Sequence, residues 1–268
     1  MAKRVLTALP VYNEARHIPT VLVEVQRFSQ DVLVVDDGST DGTGELLRSM
    51  PGIMVETHRP NRGYGAALKT AFDFAQRHHY DAVVTIDCDG QHSPRRIPLL
   101  ADAMNDDGQG EADIVSGSRY LANFPGDSEA PPERRRVNEQ LTAEINRRLC
   151  LNLTDAFCGF KAYRVSELGR LNLTEEGYAM PLELWAQAVH AGLRIREFPV
   201  PRIYLDEKRS FGGALDDAAT RLQYYHMVLD QSIARAEHTP GRLWTGTLCG
   251  EALGTDSLAS DSYCGECP

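Results

Sequence analysis

Short apolar, β-branched runs alternate with segments of helical spacing through the first half of the chain. The apolar runs are residues 4–11, 31–36, 53–57 and 80–86. The intervening segments carry hydrophobic residues three or four positions apart, at about 15–28, 43–50 and 66–77. Because each predicted strand is followed by a predicted helix, the pattern predicts an α/β fold with a doubly wound, mostly parallel sheet.

The second half of the chain is less regular. A strand at 113–117 is followed by a loop rich in Gly, Pro and acidic residues at 123–132, which we expect to be mobile. Later elements are a basic amphipathic helix at 134–149, a strand at 162–165, a helix at 181–191, a strand at 193–204 and a helix at 214–236. Pro199 and Pro201 predict that the 193–204 strand lies at a sheet edge. Periodicity ends at residue 238, so we predict a single domain over 1–237 and a disordered tail over 238–268.

Composition narrows the possible partners. The chain has 268 residues, and 28 Lys and Arg against 38 Asp and Glu give a net charge of −10. Such an acidic chain is a poor general binder of nucleic acid and has no overall attraction to anionic lipid. No apolar run approaches the roughly 20 residues of a spanning helix, and the N-terminus does not resemble a secretory signal. We therefore expect a cytoplasmic protein, at most peripheral at the inner face of the membrane.

The six cysteines fall into two groups. Cys88, Cys150 and Cys158 are scattered, and we expect buried thiols in a reducing compartment. Cys264 and Cys267 form a C-x-x-C in the tail, where Cys249 is a possible third ligand and His238 a fourth without a recognisable spacing. A zinc site needs four ligands, so incidental thiols are the favoured interpretation.

Two carboxylates follow the predicted strand at 80–86, in the sequence Asp87-Cys88-Asp89-Gly90-Gln91. Alternate side chains of a strand point to opposite faces, so Asp87 and Asp89 converge only if the chain turns, which Gly90 permits. Hard oxygen ligands of this type suit Mg²⁺ or Mn²⁺ shared with a substrate phosphate. Taken alone, a D-x-D is better explained as an acidic turn at a strand end, so its neighbours decide the interpretation.

Three further polar segments accompany this motif: Pro10-Val-Tyr-Asn-Glu14 after the first strand, Asp36-Asp-Gly-Ser-Thr-Asp-Gly-Thr43 after the second, and Asn61-Arg-Gly-Tyr-Gly-Ala-Ala67 before a helix. In this order, the four segments resemble the inverting glycosyltransferases of family 2, which have the GT-A fold. The resemblance is closest to the dolichol-phosphate mannosyltransferase branch and covers roughly residues 4–215.

The resemblance implies a donor site. The positions that match the family's nucleotide contacts are Pro10, Tyr12, Glu14, Val35 and Asp37. The positions that match its metal and diphosphate site are Asp87, Asp89 and Gln91, with Cys88 packed beside the donor. Arg209 matches a diphosphate-binding arginine, but Ala214 and Leu215 replace the Ser and Lys expected after it.

The resemblance also implies an acceptor site. Arg119, in Gly117-Ser-Arg-Tyr120, matches an arginine that faces the acceptor phosphate. Arg134, Arg135, Arg136 and Asn138 match a second acceptor segment, in which the family tends to have Ser in place of Asn138. Residues 155–160 resemble a D-x-x-S-G-F motif with Cys158 in place of Ser. Planar guanidinium groups suit phosphate recognition, although a solvated basic helix face would explain the arginines at 134–136 equally well.

These matches imply transfer of a hexose from GDP-mannose or UDP-glucose to a polyprenyl or dolichyl phosphate, with inversion and with Mg²⁺ or Mn²⁺. We expect Asp89, Arg119 and Asp155 to be catalytic. A phosphate acceptor is largely anionic at neutral pH and needs no base, whereas a hydroxyl acceptor would need one, and Asp155 or Glu183 are the candidates.

Other functions remain open. A soluble sugar or other hydroxyl acceptor is favoured by the net charge of −10 and by the absence of an anchor, whereas Arg119 and the Arg134 segment favour a lipid phosphate. A sugar-nucleotide nucleotidyltransferase is disfavoured because no Gly-rich, Lys-bearing loop follows the first strand. A non-catalytic binding module is disfavoured by the intact D-x-D. The sequence predicts no oligomeric state.

Overall fold

The computed structural model describes residues 3–105, 108, 110–205 and 213–237. The strands are β1 (Val5–Val11), β2 (Asp31–Asp36), β3 (Met54–Thr57), β4 (Ala82–Thr85), β5 (Ile114–Ser118), β6 (Lys161–Arg164) and β7 (Ile195–Pro199). The helices are α1 (Ile18–Gln26), α2 (Thr43–Ser49), α3 (Tyr64–Arg77), α4 (Ile97–Asp102), α5 (Pro132–Leu149), α6 (Val165–Leu168), α7 (Met180–His190) and α8 (Ala218–Glu237). Two 3₁₀ turns occupy Pro94–Arg96 and Gly213–Asp216.

The strands form one sheet in the order β3-β2-β1-β4-β6-β5-β7. Among the strands of the described residues, only β6 runs antiparallel to its two neighbours, β4 and β5, and every other pair is parallel. The predicted mostly parallel sheet is thus confirmed. Because β1, β2, β4 and β5 run in the same direction, their carboxyl ends meet at one edge, and the antiparallel β6 begins at that edge.

Both faces of the sheet are buried, as expected when helices cover each side. Leu33 and Val35 of β2 pack into the cluster that includes α3, α5, α7 and α8. Val32 and Val34, which point the other way, pack into the cluster that includes α1 and α4. Burial on both faces explains why these strands are continuous apolar runs in the sequence.

Several boundaries differ from the sequence prediction. β4 ends at Thr85, and the Ile86 N–H donates to the Ala8 carbonyl, so the chain leaves the strand pairing just before Asp87. Helix α4 was not predicted, because six residues contain too little periodicity for detection. The last helix begins at Ala218 rather than Ala214. The edge position of β7 is confirmed, with Pro199 as its last residue.

Of the three cysteines that we expected to be buried, two are buried in the structure. Cys88 and Cys158 are in the core, whereas Cys150 is exposed. The prediction for Cys150 was wrong because this residue ends α5 in a left-handed conformation, with φ of 52°, beyond the helix's buried face. The predicted tail, with Cys249, Cys264 and Cys267, lies outside the described residues, as do Lys208 and Arg209. Among the helices that are described, none has the length and apolarity needed to cross a bilayer.

Candidate active site

A cleft of about 930 Å³ lies where the carboxyl ends of the parallel strands meet. Its walls come from the loops that follow β1, β2, β4 and β5, from the start of β6, and from α3, α5, α7 and α8. The structure brings together nine predicted site residues on these walls: Pro10, Tyr12, Glu14, Asp37, Asp87, Cys88, Asp89, Gln91 and Arg119. Val35 and Asp155 are not part of the lining.

The carboxylate of Asp87 is held by two neighbours. The Tyr64 hydroxyl donates to Oδ1 at 3.1 Å, and Nε2 of His92 lies 3.2 Å from Oδ2. Burial alone would raise the pKa of Asp87, but His92, Tyr64 and the charge of Lys161 together hold this pKa below its usual value. Asp87 is therefore ionised at neutral pH and fixed in orientation.

Asp89 is oriented by the turn that follows it. The Gln91 N–H donates to one oxygen of Asp89 at 2.9 Å, and the Gln91 carboxamide donates to the other at 3.0 Å. Gly90 adopts φ of 73°, a conformation that glycine reaches without strain. The expected turn therefore exists, and it places both carboxylates on the cleft wall.

The donor set of this wall fits a divalent cation. Asp87, Asp89 and the Gln91 carboxamide supply hard oxygen atoms, and Mg²⁺ commonly binds through one or two carboxylates with water and phosphate oxygens completing its shell. The described residues contain no cluster of three His, Cys, Asp or Glu side chains that could hold a metal ion unaided. The site thus fits a cation shared with a diphosphate, in which the metal would polarise and neutralise the leaving group.

The end of the cleft beside Tyr12 is built from two joined loops. Asn13, with φ of 55°, donates its N–H to the Ser39 hydroxyl at 2.9 Å and accepts the Thr40 N–H at 2.8 Å. These bonds fix the loop after β1 against the loop after β2. The neighbouring Tyr12 is 46% exposed and lines the cleft, so its ring is available to a base.

The structure limits how Val35 can take its predicted role as a nucleotide contact. Its side chain is fully buried and packs in the core on the α3 side of the sheet. Any contact with a nucleotide would therefore come from its backbone. A resemblance matches positions in a motif and does not indicate which atoms of each residue face the cleft.

Asp37 already has three donors. It accepts the N–H groups of Arg62 at 2.9 Å and Gly63 at 2.7 Å, and Nδ1 of His58 lies 2.7 Å from it. Gly63 has φ of 107°, and a Cβ there would lie 2.3 Å from the Glu176 carbonyl oxygen, so only glycine fits. Asp37 therefore fixes the turn at 61–63, a role that the sequence analysis did not predict.

Arg119 and Asp155 form a bidentate ion pair. Nε and Nη2 of Arg119 donate to the two carboxylate oxygens at 2.7 and 3.0 Å, and Asn138 donates to the same carboxylate at 2.7 Å. Burial opposes ionisation of Asp155, but the charge and hydrogen bonds of Arg119 and Asn138 bring its pKa to about 2. The remaining terminal nitrogen, Nη1, lies 3.3 Å from the Tyr204 hydroxyl.

This geometry contradicts the prediction of Asp155 as a catalytic base. Its side chain is fully buried, outside the cleft lining, and its low pKa makes it a weak proton acceptor. Asp155 instead orients the guanidinium of Arg119. Glu183 is also unsuited to be a base, because it is 2% exposed and accepts the N–H groups of Thr174 and Glu175, both at 2.7 Å.

The acidic loop at 123–132 is more ordered than expected. Asp127 accepts the N–H groups of Phe124 at 2.9 Å and Arg202 at 2.8 Å. Ser128 donates its N–H to the Arg202 carbonyl at 2.7 Å. The loop is therefore tied to the segment after β7. Of the nearby basic run, Arg134 lines the cleft, whereas Arg135 stacks on Tyr120 with its guanidinium 3.5 Å from the ring centroid.

Sequence reasoning missed four residues that shape the site. Tyr64 and His58 orient Asp87 and Asp37, Tyr204 contacts Arg119, and Lys161 places a buried ammonium on the cleft wall. Tyr64 lies within a motif that the sequence analysis recognised, but the motif does not indicate that its hydroxyl reaches Asp87. The partners of His58 and Tyr204 depend on contacts between distant segments, which a single sequence does not reveal.

Comparison with known proteins supports the architecture and the motifs. The sequence model described as Glycosyl transferase family 2 matches residues 7–171. An undecaprenyl-phosphate mannosyltransferase of Micrococcus luteus is 32% identical over 232 residues, covering 82% of this chain and 92% of the relative. A polyprenol monophosphomannose synthase of Mycolicibacterium smegmatis is 34% identical over 210 residues, covering 74% and 77%.

Among solved structures, glucosyl-3-phosphoglycerate synthase from Mycobacterium tuberculosis, crystallised with Mn²⁺, uridine diphosphate and glucosyl-3-phosphoglycerate, has the same fold. Its TM-score is 0.66 at 21% identity, with 87% of this chain and 81% of that chain covered. At this identity the likeness concerns the fold alone. The family match covers the segments that contain Tyr12, Asp37, Asp87, Asp89, Arg119 and Asp155, and the chain belongs to glycosyl transferase family 2.

Proposed function

We propose that this enzyme transfers a hexose from a nucleotide sugar to a polyprenyl phosphate, with inversion at the anomeric carbon and with Mg²⁺ or Mn²⁺ at Asp87, Asp89 and Gln91. The observation that carries the proposal is the presence, in one cleft, of the D-x-D wall and of Arg119, held in place by Asp155. The relatives from Micrococcus luteus and Mycolicibacterium smegmatis, named for polyprenyl-phosphate substrates or products, support the same acceptor class.

The nucleotide-sugar donor and the acceptor phosphate bind to different walls of the cleft. Tyr12, Glu14 and the loops ordered by Asp37 hold the nucleoside, and the D-x-D wall holds the diphosphate with its cation. Arg119 and Arg134 offer positive charge to the acceptor phosphate from the β5 and α5 side. A phosphate oxygen then attacks the anomeric carbon, the bond to the nucleoside diphosphate breaks, and the leaving group keeps the electron pair.

No protein base is needed for this step. A phosphate monoester has a second pKa near ~6 and is mostly dianionic at neutral pH, so the nucleophile carries no proton that must be removed. The absence of an available carboxylate at Asp155 or Glu183 therefore favours a phosphate acceptor over a sugar hydroxyl. Transfer to a soluble hydroxyl acceptor remains the second candidate and would need a base from another position.

The test is transfer from a panel of nucleotide sugars, including GDP-mannose and UDP-glucose, to undecaprenyl phosphate. We expect one donor to give lipid-linked sugar in the presence of Mn²⁺ or Mg²⁺, and we expect excess EDTA or Asp89→Asn to abolish the product. Asp73→Asn, on the exposed face of α3, is the matched control for a lost carboxylate. Full activity of Asp89→Asn, or of the wild type in EDTA, would contradict the metal site.

A further inference from the structure

Lys161 is a buried cation at the cleft. It is the first residue of β6, it is 2% exposed, and its side chain lines the cleft. A buried ammonium is costly unless negative charge or hydrogen-bond acceptors surround it. Its position therefore needs a physical reason.

The register of the sheet places Lys161 between the two halves of the site. It pairs with Thr85 of β4, two residues before Asp87, and with Ser116 of β5, three residues before Arg119. The segment before it is fixed to both strands, because the Thr85 hydroxyl donates to the Gly159 carbonyl at 2.7 Å and the Gly117 N–H donates to the Phe160 carbonyl at 2.8 Å.

The surroundings of the ammonium are partly apolar and partly anionic. It donates to the Cys158 carbonyl and lies 5.5 Å from the centre of the Trp185 ring. The carboxylates of Asp87 and Asp155 both interact with its charge. Gly159 packs so closely on Asp87 that a Cβ would lie 2.2 Å from Oδ2, so any larger residue at position 159 would displace this carboxylate.

We propose that the charge of Lys161, fixed on the cleft wall near Asp87, limits the affinity of the empty site for a divalent cation until the donor diphosphate binds. A fixed positive charge beside a ligand carboxylate repels a metal ion. The diphosphate adds negative charge, which both the ammonium and the cation attract. Cation and nucleotide would thus bind together rather than separately. This inference rests on the proposed metal role of Asp87 and Asp89 and not on the identity of the acceptor.

The test compares Lys161→Gln with the wild type in Mn²⁺ binding, followed by the electron paramagnetic resonance signal of free Mn²⁺ in the absence of nucleotide. Gln keeps a donor for the Cys158 carbonyl but removes the charge, so we expect Mn²⁺ to bind roughly tenfold more tightly. Lys69→Gln, on α3 and paired with Glu176, removes the same charge elsewhere and should leave Mn²⁺ binding unchanged. With GDP or UDP present, the gain in Mn²⁺ affinity of Lys161→Gln over the wild type should become smaller or turn into a loss.

A structural role alone would give a different result. In that case Lys161→Gln would weaken Mn²⁺ binding or leave it unchanged, and either outcome would overturn the proposal. Lys161→Met provides a second neutral side chain that suits the Trp185 contact; failure of both neutral variants to fold would also overturn it. Because no donor sugar or acceptor is present, a failure of transfer to lipid phosphate would leave this measurement intact.

Discussion

Arg119 and Asp155 face each other in a two-point ion pair, with the arginine partly exposed at the cleft and the aspartate fully buried behind it. The pair uses Nε and Nη2 of Arg119, so the plane of the guanidinium is fixed. The remaining nitrogen, Nη1, donates to the Tyr204 hydroxyl. A phosphate in the cleft would therefore meet a guanidinium whose orientation is already set, which reduces the entropy lost on binding.

Asp155→Asn should weaken binding of the acceptor more than binding of the nucleotide donor. Loss of the carboxylate leaves Arg119 without its charge partner, and breaking a buried pair costs about 3 kcal/mol of folding free energy. We expect a higher acceptor KM, measured in steady-state transfer assays, and an unchanged Kd for the nucleoside diphosphate, measured by calorimetry.

Asp113→Asn is the matched control for that variant. Asp113 also accepts hydrogen bonds from an arginine, Arg194, but it precedes β5 at the opposite edge from the cleft. The Asp113→Asn variant should have a lower free energy of unfolding than the wild type, with an unchanged acceptor KM. Equal effects of the two variants on acceptor KM would contradict a positioning role for Asp155.

The free energy of unfolding should depend on pH at acidic values because of the same Arg119–Asp155 pair. The pKa of Asp155 is about 2, against an ordinary value of 3.8, which corresponds to roughly 2 kcal/mol of folding free energy. Because the folded-state pKa is the lower one, this contribution is complete above about pH 4 and is lost as the pH falls towards 2. Urea unfolding of the wild type and of Asp155→Asn should show that the wild type's advantage narrows over that window and stays constant between pH 5 and 7.

Tyr64→Phe should impair the D-x-D wall without unfolding the protein. The hydroxyl of Tyr64 donates to Asp87, and the ring stacks on Tyr178 with 5.6 Å between centroids, a contact that Phe can retain. Loss of one hydrogen bond to a carboxylate costs about 2 kcal/mol, so kcat/KM should fall by up to about thirtyfold. Tyr224→Phe removes a hydroxyl that donates to Glu175, and it should retain wild-type kcat/KM.

Asp37→Ala should weaken binding of the nucleoside diphosphate, measured by calorimetry. The carboxylate orders the backbone of Arg62 and Gly63, and its removal leaves those N–H groups and His58 without their acceptor. Asp73→Ala, on the solvent side of α3, is the control. Unchanged affinity in Asp37→Ala would mean that the turn at 61–63 is not needed by the nucleotide.

The sequence was most informative where structure is local. The strands that precede Tyr12, Asp37 and Asp87 are short apolar runs, and their parallel arrangement follows from the helices between them. The D-x-D turn was predictable because Gly90 lies within the motif. Asp155 was misassigned because its partner, Arg119, is 36 residues away in sequence, and burial of a carboxylate depends on the packed fold rather than on its own segment.

The most direct test of the central claim compares undecaprenyl phosphate with undecaprenol and with a free sugar as acceptors, using the donor identified in the panel. The account predicts transfer to undecaprenyl phosphate alone, with inverted anomeric configuration in the product and with loss of transfer in Arg119→Ala while donor binding is retained. Transfer to undecaprenol or to the free sugar at a comparable rate would contradict the account, because neither acceptor carries the phosphate that Arg119 is positioned to bind.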